Sequence, residues 1–406
     1  MSFIRGNKMK KILSGYIPAA AGCLVLLATA SMPAGAVPVF ARKYGFSCTM
    51  CHSNYPRLND FGTRYRRNGY RLPGRENDEK TILQSPPPVA LRTSAGYNYY
   101  RAVNSAAPAV RQFQLNGLDL LSAGRISPDA GYMFVYTPVL TASRGVAAQD
   151  GVLEMASVVF NDLGSSWFNV RAGRFEPAYA ALSPKRQLAV SPYEIYDFTF
   201  PGGLALSQTQ SGVEVTGYGR NGTSYAAGWV NGSDTGNASQ AAADVYARVE
   251  KVFGEGEGQT AGQRIGLMGY SGSAVPDVTL PAAASKTFRR AGIDASLNYR
   301  HLNLAMQYIS GTDNKALWGK SSDVNFSGGL AEVSYLPATG LVCFARYDVV
   351  DTPRSVNMDI SKWTLGGRYY PADNIALHPE YSYKKQKSSA GDITENFFTA
   401  RLDYAF

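Results

Sequence analysis

From residue 89 to 406 the chain is a succession of segments in which apolar and polar residues alternate, each closed by a cluster of Gly, Asn, Asp or Ser. Successive side chains of a strand point to opposite faces, so this pattern specifies strands with one apolar and one polar face. No apolar run beyond residue 36 approaches the roughly 18 residues that a spanning helix needs. The sequence is 45% apolar yet only 17% charged, and it holds 41 Gly, 26 Tyr and 18 Phe. Soluble globular chains carry about 25% charged residues. Two architectures remain: a soluble all-β protein, or a transmembrane β-barrel whose crossing signal is spread thinly over many strands.

The breaks predict strands over 89–102, 109–124, 130–143, 151–162, 166–175, 205–218, 222–232, 241–253, 263–272, 287–298, 301–311, 324–336, 341–350, 360–370, 374–386 and 395–406. Sixteen is an even number, as in single-chain bacterial barrels, and each strand with its connection takes about 20 residues. The connections alternate in length. Ser127-Pro128-Asp129, Arg220-Asn221-Gly222, Arg300-His301 and Pro371-Ala372-Asp373 are short, whereas 176–204 and 312–323 are long. Short turns at one end and long outer loops at the other are barrel behaviour, for which a soluble sandwich has no reason. In the last segment Phe398, Ala400, Leu402, Tyr404 and Phe406 suit lipid, while Thr399, Arg401, Asp403 and Ala405 suit a polar lumen. The expected fold is all-β: a transmembrane barrel of about sixteen strands over 89–406, in a bacterial outer membrane. An even count leaves both barrel ends on the periplasmic side, so anything ahead of residue 89 enters from there.

Ahead of the barrel, Arg5, Lys8, Lys10 and Lys11 precede a short apolar stretch over 17–30, and Ala34-Gly35-Ala36 forms a cleavage site. Residues 1–36 read as a secretory signal, too short and wrongly flanked for an anchor helix. Next comes Cys48-Thr49-Met50-Cys51-His52, the C-x-x-C-H attachment motif of c-type haem. Two thiols on one turn can each bond a porphyrin vinyl group, and the next residue sets an imidazole against the iron. A redox dithiol would sit in a βαβ pattern, and none surrounds this motif. A zinc site needs four ligands, and Cys343, His301 and His378 are far off in sequence. One haem c is expected, held by Cys48 and Cys51 with His52 as proximal ligand.

The pattern over 56–69 predicts one short helix, with Pro56 in its first turn and Gly69 at its C-terminal end. Leu58, Phe61 and Tyr65 then share a face that would lie on the porphyrin. An ordinary small core is the other reading, and haem would be that core. Residues 37–85 make up this module, too few to stand alone without a staple. Pro86-Pro87-Pro88 is a stiff linker. Residues 37–82 carry nine basic residues against four acidic ones, so most of the basicity of the mature chain lies here. Nothing in it calls for nucleic acid; Arg64, Arg66 and Arg67 could equally face haem propionates or an acidic partner.

The run Phe40-Ala41-Arg42-Lys43-Tyr44-Gly45, then C-x-x-C-H, Pro56, Leu58-Asn59, Phe61-Gly62 and Asn68-Gly69-Tyr70, resembles the fused monohaem cytochrome–porin proteins of bacterial outer membranes. The close resemblance covers residues 40–70; beyond them it is one of architecture. It implies an extracellular iron oxidase, with Fe(II) as donor and a periplasmic electron carrier as acceptor.

No second His lies in the module, and Met50 sits within the attachment loop. The iron is then five-coordinate, bound by a less usual group, or capped by the barrel, with the haem module plugging the lumen. Parity points His301, Asn303 and Gln307 inward in 301–311, and His378, Glu380 and Lys384 inward in 374–386. His378 and His301 are thus candidate distal ligands, with Met268 a weaker one, or they are ordinary polar lumen residues. Cys343 has outward parity and an inert, packing role. Tyr193, Glu194 and Asp197 in the long 176–204 loop are the outer-loop candidates for a donor site.

A covalent haem fused to a lipid-spanning barrel leads to the expectation of electron transfer across the outer membrane, and of an Fe(II):cytochrome oxidoreductase by resemblance. Two alternatives stay open: the same conduit run outward to extracellular acceptors, and a solute porin in which haem is a plug. Three histidines cannot supply a hydrolase triad or a zinc cluster.

Overall fold

The computed structural model describes residues 44, 50–54, 57–72, 80–84, 88–104, 108–142, 146–179, 182–200, 203–219, 221–232, 244–254, 262–274, 286–314, 323–338, 340–372, 375–388 and 391–405. The signal segment, Cys48, Pro56 and Phe406 lie outside them.

Two short strands, β1 (His52–Asn54) and β2 (Arg57–Leu58), pair antiparallel ahead of helix α1 (Asp60–Arg67). The barrel strands follow: β3 (Val89–Val103), β4 (Val110–Ser127), β5 (Ala130–Thr137), β6 (Val152–Phe160), β7 (Asn169–Phe175), β8 (Gln210–Tyr218), β9 (Thr223–Val230) and β10 (Asp244–Phe253). They continue with β11 (Gln263–Ala274), β12 (Lys286–Tyr299), β13 (Leu302–Asp313), β14 (Val324–Ala338), β15 (Leu341–Asp351), β16 (Ile360–Ala372), β17 (Ile375–Gln386) and β18 (Ile393–Ala405). Each pairs antiparallel with its neighbours in sequence, and β18 pairs with β3 to close a sixteen-stranded barrel. At this seam the Thr399 hydroxyl donates to Asn98 Oδ1 at 2.7 Å and the Tyr100 hydroxyl to Glu395 Oε1 at 2.7 Å. Closure leaves no free sheet edge.

The expected parity holds. Trp229, Leu267, Trp363 and Tyr308 are exposed on the outer surface, while Glu332, Arg346, Asp348 and Thr399 are buried on the inner one. In β18, Phe398 and Leu402 face out and Thr399 is fully buried. An apolar exterior around an ionised interior inverts the order of a soluble core. Exposing each such large side chain to water would cost about 1.5–3 kcal/mol, so the outer wall is built for apolar surroundings. That removes the soluble all-β alternative.

Three expectations need correcting. The helix predicted over 56–69 begins at Asp60, because Arg57 and Leu58 are held in the β1–β2 pair. Asn59 caps it, its side chain accepting from the Gly62 N–H at 2.8 Å, and Gly69 (φ 60) and Tyr70 (φ 64) end it in the left-handed region. Second, the connection over 176–204 is not an outer loop. Tyr179, Leu188, Tyr193, Tyr196, Phe200 and Leu204 are all buried inside the barrel, and a short helix α2 (Glu194–Asp197) forms there. Third, His301 is not part of a barrel strand, since β13 begins at Leu302. It sits exposed in the tight turn between Tyr299 and Leu302, where Arg300 adopts φ 52.

Candidate functional site

The segment 57–72 lies inside the short-turn end of the barrel, and four arginines tie it to the wall. Arg57 donates to Glu332 of β14 and, at 2.9 Å, to Asn303 of β13. Arg66 donates to Glu176 at 3.1 Å, just past β7. Arg67 reaches Ser224 of β9 at 3.4 Å and Glu250 of β10 at 3.8 Å. Arg71 pairs with Asp162 and lies 3.8 Å from Asp129, both in short turns. The acidic partner of this basic module is thus the barrel's own inner surface. Arg64 differs: it pairs with Asp60 within α1 and is half exposed.

The apolar face of α1 docks on β4 and β5. Tyr65, Tyr70 and Leu72 are buried with Ala123, against partly buried Tyr44, Phe61 and Met133. Gly131 makes this possible, since a Cβ on it would meet the Gly69 carbonyl oxygen at 2.1 Å. Phe61 and Tyr65 stack with centroids 6.4 Å apart and 3° between planes. Leu58 does not join them. It belongs to β2 and lines a cavity on the other side of α1.

The motif residues 51 and 52 sit directly on this helix. The Asn59 backbone N–H donates to the Cys51 carbonyl at 2.9 Å, and Asn59 Nδ2 donates to the Met50 carbonyl at 3.0 Å. His52 Nδ1 lies 3.3 Å from the Arg57 carbonyl oxygen. A proton donated there sets the ring's tautomer and orientation. The donor set around Cys51 and His52 therefore fits the proximal half of a c-type haem site; Cys48 lies outside the described residues.

His378 faces the lumen, as parity required, and is buried. Its Nε2 is 3.3 Å from Glu380 Oε2, its Nδ1 is 3.7 Å from Asp403 Oδ2, and Phe344 stands edge-on at 6.0 Å. Glu380, Asp403 and Phe344 all belong to barrel strands. Met268 is buried in the cluster around the inward-folded loop. Cys343 is on the outer face of β15 and pairs in register with Tyr335 and Gly367.

That loop carries the three outer-loop candidates into the lumen. Glu194 meets Lys362 at 2.8 Å and Lys384 at 3.0 Å. Burial alone would raise its carboxyl; the two ammonium groups overcome this and hold it below the usual range. Asp197 is pushed up by burial. Arg346 lies over the Tyr193 ring at 4.7 Å, and burial raises the Tyr193 phenol to about 12. These contacts lock the loop to the wall.

The anchoring carboxylates are site residues that sequence reasoning missed. Their signal is an acid at inward parity between outward apolar neighbours, as in Val249-Glu250 and Glu332-Val333. Which arginine each meets has no trace in sequence.

No family model matches the chain, and no curated protein matches it in sequence. Solved structures do match in fold. An anion-selective porin from Comamonas acidovorans superposes with TM-score 0.59 and 12% identity, over 79% of this chain and 100% of that one. The outer-membrane channel DcaP of Acinetobacter baumannii gives 0.55 and 13%, over 79% and 97%. OprB of Pseudomonas putida gives 0.56 and 11%, over 80% and 95%. The matched part is about four-fifths of the chain, and the barrel has the fold of these porins.

Proposed function

We propose that the chain is a bacterial outer-membrane barrel that passes electrons through its lumen by way of one c-type haem. The observation that carries this reading is the position of Cys51 and His52 against the start of α1, within a segment bonded to the inside of the wall through Arg57 and Arg66. The module over 37–85 enters from the periplasmic side, the linker over 86–88 follows, and the apolar outer wall contacts lipid. Cys48 and Cys51 hold the porphyrin and His52 is its proximal ligand. Phe61 and Tyr65 bound the site, with Leu58 on the reverse side of α1. The bound haem supplies one reversible electron. The protein's own part is to hold the His52 tautomer through Arg57, to surround the group with tyrosines and to fix it across the membrane's thickness. The resemblance of residues 40–70 makes Fe(II) the donor and a periplasmic cytochrome or similar carrier the acceptor.

The porin-type fold favours a second reading, a solute channel whose lumen is narrowed by the plug and the inward loop. One experiment separates them. Purified protein is run on a denaturing gel, stained for covalent haem, then mixed with Fe(II) in a stopped-flow spectrometer. Haem reduction supports the electron conduit. Covalent haem without reduction removes Fe(II) as donor, and no covalent haem leaves the solute channel.

A further inference from the structure

We propose that the lumen cavity between α1 and the inward-folded connection is a binding site for a small, doubly charged oxyanion, with inorganic phosphate as its simplest form. The proposal stands apart from the haem and goes beyond the electron-transfer reading.

Six arginines line the cavity: Arg57, Arg66 and Arg67 from the plug, Arg171 and Arg264 from the wall, and Arg186 from the loop. Four carboxylates lie against them, namely Glu176, Glu214, Glu250 and Glu332. Six cations against four anions leave an excess of positive charge. Arg186 and Arg66 both point at one carboxylate, Glu176. Arg67 and Arg264 share Glu250 with Arg248. Arg264 approaches that carboxylate only to 3.9 Å. Among the described residues, Arg264 Nε and Arg171 Nε are buried with no hydrogen-bond partner. Each guanidinium offers five N–H donors in a planar fork that matches carboxylate and phosphate oxygens, and these two donors lack an acceptor.

The arginine side chains are not sealed: the Arg186 side chain keeps 19% of its surface and that of Arg264 keeps 11%. Burial, together with Arg66, lowers the Arg186 guanidinium from its usual range. Burial and the Arg248 and Arg264 guanidiniums do the same to Arg67, against the pull of Glu250. Despite burial, Arg57 and Arg66 are instead held up by Glu332 and Glu176, so the crowding of cations falls on Arg186 and Arg67, where a dianion would relieve it.

The test is calorimetric titration of the full-length protein in detergent with inorganic phosphate at low ionic strength. One saturable site is expected in the wild type. Arg264→Gln and Arg186→Gln should each weaken it by roughly tenfold, the scale of losing one charge-assisted hydrogen bond. Arg111→Gln, on exposed β4, should leave it unchanged. Folding of each variant is checked by the heat-dependent gel shift of a closed barrel. Should the glutamine variants fail to fold, Arg264→Lys keeps the charge without the fork and should weaken binding by a smaller factor. Absence of a saturable site in the wild type overturns the proposal. So does wild-type affinity in the folded Arg264 or Arg186 variants.

Discussion

Gly62 and the carbonyl of Cys51 are in contact so close that a Cβ on Gly62 would lie 2.1 Å from the carbonyl oxygen. The obstacle is backbone, which cannot swing aside as a side chain can. Gly62→Ala should therefore lift α1 off the motif at an overpacking cost of about 1–3 kcal/mol. The expected outcome is a large drop in covalently bound haem per barrel, with the barrel's own gel mobility unchanged. Full haem occupancy in this variant would show that α1 does not need its present seat.

Docking of the plug on the wall depends on Gly131 in the same way, since its Cβ would meet the Gly69 carbonyl at 2.1 Å. Gly131→Ala is expected to loosen the plug while leaving β5 paired with β4 and β6. Single-channel recording in planar bilayers reads this directly, as a conductance several-fold above that of the wild type. A wild-type conductance would refute the docking role.

Glu332 is fully buried between Arg57 of the plug and Arg346 of β15. Removing one partner of a buried pair leaves charge uncompensated and costs about 3–5 kcal/mol. Glu332→Gln should lower the midpoint of thermal unfolding and make residues 57–72 accessible to added protease. Equal protease resistance in both proteins would mean that Arg57 does not anchor the plug.

Acid offers a second route to the same release. Burial would raise the Glu176 carboxyl, but Arg186, Arg66 and the Ser183 hydroxyl hold it down at about 2. A carboxylate depressed in the folded state stabilises that state fully above its ordinary value of 4.5, and the contribution fades as pH falls toward 2. At neutral pH it is on the order of 3 kcal/mol. Plug retention, followed by protease accessibility, should be constant down to about pH 5 and then decline across the interval to about pH 2. Glu176→Gln should show no such decline while being looser throughout. A variant curve that matches the wild type would remove Glu176 from the account.

His378 supplies a spectroscopic test. Both of its ring nitrogens face carboxylates, Glu380 and Asp403, and the side chain has no exposed surface. His378→Gln is accordingly expected to leave the optical spectrum of the haem unchanged and to lower barrel stability. Loss of low-spin bands would instead make His378 the distal ligand.

The barrel is legible because its signal is local and repeated. An alternation such as Leu302-Asn303-Leu304 states which side each residue faces, wherever the neighbouring strand lies. All sixteen strands follow from it to within a few residues. The pattern overextends the ends of β5 and β8, because residues 138–143 and 205–209 continue the composition of a strand beyond the paired ladder, which stops at Thr137 and starts at Gln210. The inward folding of 176–204 is not legible. A loop rich in Tyr, Leu and Phe reads as outer surface until its partners Arg346, Glu380 and Lys362, more than 150 residues away, are known. Parity misplaces His301 by a single position at the end of a strand, where it gives way to turn geometry. The site is half legible. C-x-x-C-H raises the expectation of haem by its spacing alone, whereas the Arg57–Glu332 anchor joins residues with no common motif.

The seam between β18 and β3 joins the first barrel strand to the last. A wall whose first and last staves are neighbours can be sealed only once the final stave has been made. The segment carrying Cys51 precedes β3 in sequence and rests within the cylinder. A prosthetic group attached before sealing is carried in as cargo. One delivered afterwards would meet an entrance already occupied by Arg57, Arg66 and Arg67. A group bonded to the motif before sealing would in that order be enclosed when the last stave zips against the first.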